Sequence, residues 1–303
     1  MRIRSIFQLR KWVRLFVNNK VVREKLPDIV YLKLCYYAKL GKKLHLNEPV
    51  TYNEKIQWLK LYDRQPYYVR MVDKYEAKGY IAELIGDQYV IPSIGVWDNF
   101  DDIEFDKLPE RFVLKCTHDS GGVVICKDKR YFDMEAAKTK INASIKRNYF
   151  YSGREWPYKY IKPRVIAEEY LEDAKYGELR DYKFFAFDGI PRLMFVASER
   201  QSKDETKFDF FDMDFHFVDM RNGHPNAEKR PECPQYFELM KELTKKLSKG
   251  LPHVRVDFYE VNGRVYVGEL TLYHWSGMTP FDPPEWDNRM GSWIRLPSVK
   301  TVD

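Results

Sequence analysis

Residues 254–281 read VRVDFYEVNGRVYVGELTLYHWSGMTPF. Two runs rich in β-branched and aromatic residues flank Asn262-Gly263, the pattern of an antiparallel hairpin. Arg255, Asp257 and Glu269 interrupt these otherwise apolar runs, and a carboxylate in a half-buried strand needs a partner. Which face each carboxylate takes depends on the turn. A two-residue turn in an unbroken ladder puts Asp257 and Glu269 on opposite faces. A three-residue loop, Val261-Asn262-Gly263 with a left-handed Gly263, brings Asp257, Glu269 and Thr271 to one face. Val256, Phe258, Tyr266, Leu270 and Leu272 then form a consistent apolar face, so the three-residue loop is expected. Two converging carboxylates make a hard-oxygen site suited to Mg²⁺ beside phosphates. The competing reading is a solvated edge hairpin in which Arg255 pairs with a neighbouring acid.

Outward from this hairpin, DYKFFAF, PRLMFVA and KFDFFDM (181–187, 191–197 and 207–213) read as further strands, and residues 235–250 read as a helix closed by Gly250. Upstream, YVIPSIGVW, RFVLKC, VVICKD and VIAEEYL are short extended runs, with a helical pattern over residues 133–148. Residues 1–85 carry apolar positions at three- and four-residue spacing and read as mostly helical, with Thr51 or Asn53 as a cap and Gly86 as a stop. The fold class is therefore α+β (α/β), in three stretches: 1–85, 86–172 and 173–303.

The hairpin RFVLKCTHDSGGVVICKD holds a second feature, a small polar loop with paired glycines after Lys115. Such a loop lets backbone N–H groups approach phosphate oxygens, although it matches neither the Walker nor the dinucleotide fingerprint and also reads as a plain hairpin turn.

Composition narrows the function classes. The 303 residues hold 51 Lys and Arg against 45 Asp and Glu, a net charge of +6. That excess suits an anionic ligand but lacks the basic blocks of a nucleic-acid binder. The four cysteines (Cys35, Cys116, Cys126, Cys233) are scattered, without zinc or disulfide spacing, which favours a reducing, cytoplasmic setting. There is no apolar run of transmembrane length. At the start of the chain Arg2, Arg4, Arg10, Lys11 and Arg14 interleave with Ile6, Phe7, Trp12 and Phe16, which reads either as a packed helix or as one lying on a membrane surface. The 22 Tyr, 19 Phe and 7 Trp fit strand packing or sugar stacking, and residues 146–160 (KRNYFYSGREWPYKY) read as an aromatic loop suited either to sugar stacking or to surface packing.

FVLKCTHDSGG, VIAEEYL, DYKFFAFDG, ASER and GELTLYHWSGMTPF, in this order, resemble the TupA-like branch of the ATP-grasp superfamily, named for teichuronopeptide biosynthesis and found with polysaccharide gene clusters. The final segment is also similar to the close of D-alanine–D-alanine ligases. The resemblance implies an ATP-grasp fold with a helical front, a small lid subdomain and a C-terminal catalytic sheet. It also implies roles for individual residues. Lys74 and Lys115 would reach the nucleotide phosphates, with Ser120, Gly121 and Gly122 closing over them. Glu168, Glu169, Tyr170 and Leu171 would form the adenine hinge, with Glu169 or Glu172 near the ribose. Asp257 and Glu269 would hold Mg²⁺, assisted by Thr271, which stands where many ATP-grasp enzymes have Asn. Arg255 would stabilise an acyl-phosphate, and Asp181, Lys183 and Arg200 would border the acceptor. The implied activity is ATP-dependent ligation of a sugar or glycan carboxylate to an amino acid or other amine, without nucleic acid. A glycan kinase or a non-catalytic ATP- or glycan-binding component is the alternative.

Overall fold

The computed structural model describes residues 2–174, 179–199 and 205–298. Its chain begins with six helices: α1 (Arg2–Asn18), α2 (Lys20–Lys25), α3 (Asp28–Leu40), α4 (Tyr52–Tyr62), α5 (Tyr67–Val72) and α6 (Glu76–Ile85). Thr51 is the cap of α4. Its hydroxyl accepts from the Glu54 N–H while the Glu54 carboxylate accepts from the Thr51 N–H, a capping box. Gly86, at φ +105°, ends α6, where a side chain would be disfavoured.

A small sheet follows, built from β1 (Ser93–Trp97), β2 (Phe112–Cys116), β3 (Val123–Cys126) and β4 (Val165–Glu169), in the order β1-β4-β2-β3. Helix α7 (Met134–Ile145) covers it, capped by Asp133, and Phe112, Leu114, Ile141 and Val165 form its separate core. The segment read as an aromatic loop instead packs inward. It forms α8 (Phe150–Gly153) and a 3₁₀ turn, with Phe150 and Trp156 buried; of its aromatics only Tyr160 is exposed. Alternating aromatics and basic residues look amphipathic in sequence, but Trp156 donates to the Asp63 carbonyl at 3.3 Å and is core.

The large sheet contains β5 (Asp181–Phe187), β6 (Ile190–Ser198), β7 (Lys207–Phe211), β8 (Phe217–Val218), and the hairpin β10 (Val254–Val261) and β11 (Arg264–Thr271). Between β8 and β10 come β9 (Arg221–Asn222) and α9 (Phe237–Ser248); β12 (Phe281–Asp282), which pairs with β9, and α10 (Glu285–Trp293) complete the chain. The large-sheet order is β11-β10-β5-β6-β7-β8, and all named strand pairs are antiparallel, an α+β fold. Helix α9 buries Phe237, Met240, Leu243 and Leu247, spaced by three and four, and belongs to the main core.

The decisive hairpin corrects the expected turn. Val261 pairs with Arg264, so the turn is the two-residue Asn262-Gly263, with φ +49° and +80°. Same-face placement comes from elsewhere. Phe258 pairs with Val267 and Asp257 with Glu269, which leaves Gly268 as the extra residue of a β-bulge. Tyr266 consequently lies opposite Tyr259 and packs with Ile91 and Val261, not on the Val256–Phe258–Leu270 face. A Cβ on Gly268 would lie 2.7 Å from the Tyr259 ring. Gly268→Ala should therefore cost about 1–3 kcal/mol by urea denaturation. The loss should shrink in a Tyr259→Ala background; equal losses in both would refute the close contact as its cause.

Candidate active site

The bulge sets Asp257 between two partners, Glu269 on β11 and Lys183 on β5. Arg255 stands two residues before Asp257 on the same strand face, opposite Thr271. Its Nε and Nη2 donate to Asp257 Oδ1 and Oδ2 at 2.6 Å each, a bidentate pair. Nη2 also donates to Glu269 Oε1 at 2.9 Å and to Thr271 Oγ1 at 3.0 Å. Lys183 Nζ donates to Asp257 Oδ2 and lies 3.3 Å from Asp181 Oδ2. Three strands thus gather Asp181, Lys183, Arg255, Asp257, Glu269 and Thr271 on one face.

Burial and charge oppose each other here. Burial raises the Asp257 pKa, with Arg255 and Lys183 pulling against it. Burial also acts to raise that of Glu269, but Arg255, Lys183 and Lys74 outweigh it and hold the carboxyl well below the ordinary range. Asp257 is almost inaccessible, whereas the Glu269 side chain is 47% exposed. Glu269 is therefore the more accessible of the two carboxylates. Its carboxylate, that of Asp257 and the Thr271 hydroxyl are hard oxygen donors that fit Mg²⁺.

His274 completes the guanidinium shell. Arg255 Nη1 donates to His274 Nδ1 at 2.6 Å, so Nδ1 must be unprotonated, and Nε2–H donates to Asn222 Oδ1 at 2.9 Å. Burial, then the Arg255 charge, drives the His274 pKa far down and keeps the ring neutral. The ring is held by an unusual loop: Trp275, Ser276 and Gly277 are all left-handed, at φ +49°, +56° and +60°. Such geometry costs a non-glycine residue about 1–2 kcal/mol. Lys60 of α4 clamps it, donating to the Ser276 carbonyl at 2.6 Å and hydroxyl at 2.7 Å. Burial lowers the Lys60 pKa to about 7.

The small sheet supplies a second cluster. Glu168, buried on β4, bridges Lys115 Nζ at 2.5 Å and Lys78 Nζ at 2.6 Å. Its backbone lies within the ladder, opposite Ser93 and Val113, so backbone outside the sheet begins after Glu169. Next to it, Arg111 pairs with Glu172 at 2.9 Å and lies over the Tyr170 ring, on the rim of a cavity of ≈ 530 Å³ also lined by Leu171, Arg264 and Tyr266. Glu169 is exposed.

The glycine loop is tethered at its base. Asp119 accepts from Arg147 at 2.6 Å, is bonded to Ser144, and offers its carbonyl to Lys74. His118 is buried, with Nε2 near the Ser144 and Arg147 carbonyls at 3.1 Å each. A Cβ on Gly122 would sit 2.4 Å from Ser144 Oγ, while Gly121 (φ +106°) has open space and, like Ser120, faces solvent. Burial lowers the Lys74 pKa, against the attraction of Glu269, Asp119 and Glu168. Lys74 is thus attracted by a carboxylate of each cluster.

Of the sequence-derived site residues, Lys74 lies in the turn between α5 and α6, Arg200 lies outside the described residues, and the rest fall on these two sheets and their loops. Sequence reasoning missed Lys78, Asp119 and Asn222. Lys78 had a signal, one helical turn beyond Lys74. Burial alone would raise the Glu168 pKa, but Lys115 and Lys78 outweigh it and settle it at about 2, below the ordinary 4.5. A depressed carboxyl adds stability above its unfolded pKa and loses it as pH falls through the folded one. The unfolding free energy of the wild type should thus fall between pH 4.5 and 2 more steeply than that of Glu168→Gln. Parallel slopes would remove Glu168 as the titrating group.

Among curated proteins none matches the sequence. Similar solved structures include a D-alanine–D-alanine ligase from Helicobacter pylori, at TM-score 0.44 and 16% identity over 80% of this chain and 69% of that one. The D-cycloserine synthetase DcsG is similar at TM-score 0.40 and 16% identity over 80% and 70%. The ATP-grasp ligase PsnB, complexed with minimal precursor, Mg and ADP, is similar at TM-score 0.40 and 10% identity over 72% and 57%, so this chain spans little more than half of PsnB. The TupA-like ATP-grasp profile matches residues 54–295, from α4 past α10 and across both carboxylate clusters, and the chain belongs to that family.

Proposed function

We propose that the protein is an ATP-dependent carboxylate–amine ligase acting on a carboxylated sugar or glycan in surface-polysaccharide assembly. The observation that carries this reading is the Arg255 guanidinium, buried and fixed on Asp257, Glu269, Thr271 and His274. A preorganised cation beside two oxygen-donor carboxylates suits a reaction in which negative charge develops twice, at a phosphoryl group and then at a tetrahedral carbon. Family membership supports ATP as the phosphoryl donor.

In this reaction a substrate carboxylate oxygen attacks the γ-phosphorus of ATP and ADP leaves, giving an acyl-phosphate. The amine nitrogen then attacks the carbonyl carbon, phosphate leaves, and the nitrogen loses a proton to give the amide. Bound Mg²⁺ would draw charge from the phosphates, and Asp257 and Glu269, with Thr271, are the residues to hold it. Lys74, Lys115 and the Ser120–Gly122 loop would bind the phosphates, and Tyr170, Leu171 and Glu172 the nucleoside. Lys183 and Asp181 adjoin the same face and would orient the acceptor carboxylate, a task the resemblance also gives to Arg200.

ADP release should require both a uronic-acid-type carboxylate and an amine, with a product of amide mass. Arg255→Ala should lower kcat by about 10²–10³. ADP formed without amine, with a stable phosphorylated sugar, would instead identify a kinase. Nucleotide binding without any turnover would identify a non-catalytic component.

A further inference from the structure

The excess positive charge of this protein is concentrated in one short stretch of the chain. Residues 1–25 hold eight Lys and Arg and one acid; the other 278 hold 43 basic and 44 acidic residues. The net +6 is therefore entirely a property of α1, α2 and their junction.

The same segment carries an uncovered apolar flank. Helix α1 docks through one side: Val17 is buried, Val13 packs against the core, and Arg10 Nη2 donates to the Lys39 carbonyl at the end of α3 at 2.9 Å. Leu9, Trp12, Leu15 and Phe16, spaced by three and four along the helix, face solvent at 53, 68, 55 and 50% exposure. Val21, at the start of α2, adds 58%. Lys11 and Arg14 are exposed beside this stripe. No helix among the described residues is long and apolar enough to cross a membrane. A short helix with an apolar flank, basic edges and no acidic residue lies in the interface plane, its lysines and arginines reaching anionic headgroups.

We infer that the outer flank of α1 is a docking surface for an anionic lipid bilayer. A second copy of the chain is the weaker occupant, because a two-fold contact through α1 would set like charges against each other. Placing the enzyme on a membrane would bring the site to glycans carried on lipid, but the surface stands on its own residues and does not depend on the ligase reading.

The test is co-sedimentation of the full chain with phosphatidylcholine vesicles and with vesicles containing about one third phosphatidylglycerol. The wild type should partition at least about tenfold better onto the anionic vesicles and be released by high salt. Lys11→Glu/Arg14→Glu and Trp12→Ser/Phe16→Ser should each lose that binding while keeping the thermal midpoint. Trp12 fluorescence should be quenched by bromolipid, and Trp12→Phe should remove the quenching. Absence of vesicle binding, or binding unchanged in both double variants, would overturn the proposal. A concentration-dependent dimer abolished by Trp12→Ser/Phe16→Ser, without vesicle binding, would assign the flank to a second copy.

Discussion

A buried guanidinium sets the terms for this structure. Arg255 sits between two strands with five polar atoms around it: both oxygens of Asp257, one of Glu269, the Thr271 hydroxyl and the His274 ring nitrogen. An arginine taken from water needs such a shell, because an unpaired buried charge costs several kcal/mol, roughly 3–5 when one partner is removed. Each shell member makes its own demand on the fold. Asp257 and Glu269 must share a face, and so Gly268 must bulge. His274 must present an unprotonated nitrogen, and so Asn222 must hold the other one. The left-handed loop after β11 must hold the ring in place, and so Lys60 is buried beneath it.

These demands join parts of the chain that pack separately. The small sheet has its own core around Phe112 and Ile141, and the large sheet shares its core with the helical front. Lys74 stands where the two meet, bonded through its side chain and backbone to the glycine loop and attracted by Glu269. Carboxylates on one side and lysines on the other leave a polarised region in which an anion accompanied by a divalent cation would satisfy both. The loop is tethered at Asp119 and through the Ser120 carbonyl, both bonded to Arg147, and only Ser120 and Gly121 of it face solvent.

Much of this was legible in the sequence. Strands with alternating or apolar runs, the α9 stripe and the glycine stops were read directly because their physics is local. The shared face of Asp257 and Glu269 was reached through the wrong turn. Asn262-Gly263 is a common two-residue signal, and a glycine inside a strand, Gly268, was the mark of the bulge. The aromatic segment at 149–160 misled because periodicity cannot tell a helix turn packed on Asp63 from an exposed loop. Asn222 and His274 are 52 positions apart and meet only through the tertiary fold. No local pattern could have joined them. The charge excess is informative only by position: outside residues 1–25 the chain holds 43 basic and 44 acidic residues.

Under the proposed function, the Arg255 face binds a nucleotide together with Mg²⁺. Calorimetric titration of a non-hydrolysable ATP analogue, with and without Mg²⁺, tests it most directly. Binding should strengthen with Mg²⁺ in the wild type, and this gain should vanish in Asp257→Asn and in Glu269→Gln while the thermal midpoint of each variant shows it folded. Mg²⁺-dependent binding of undiminished strength in both folded variants would contradict the account.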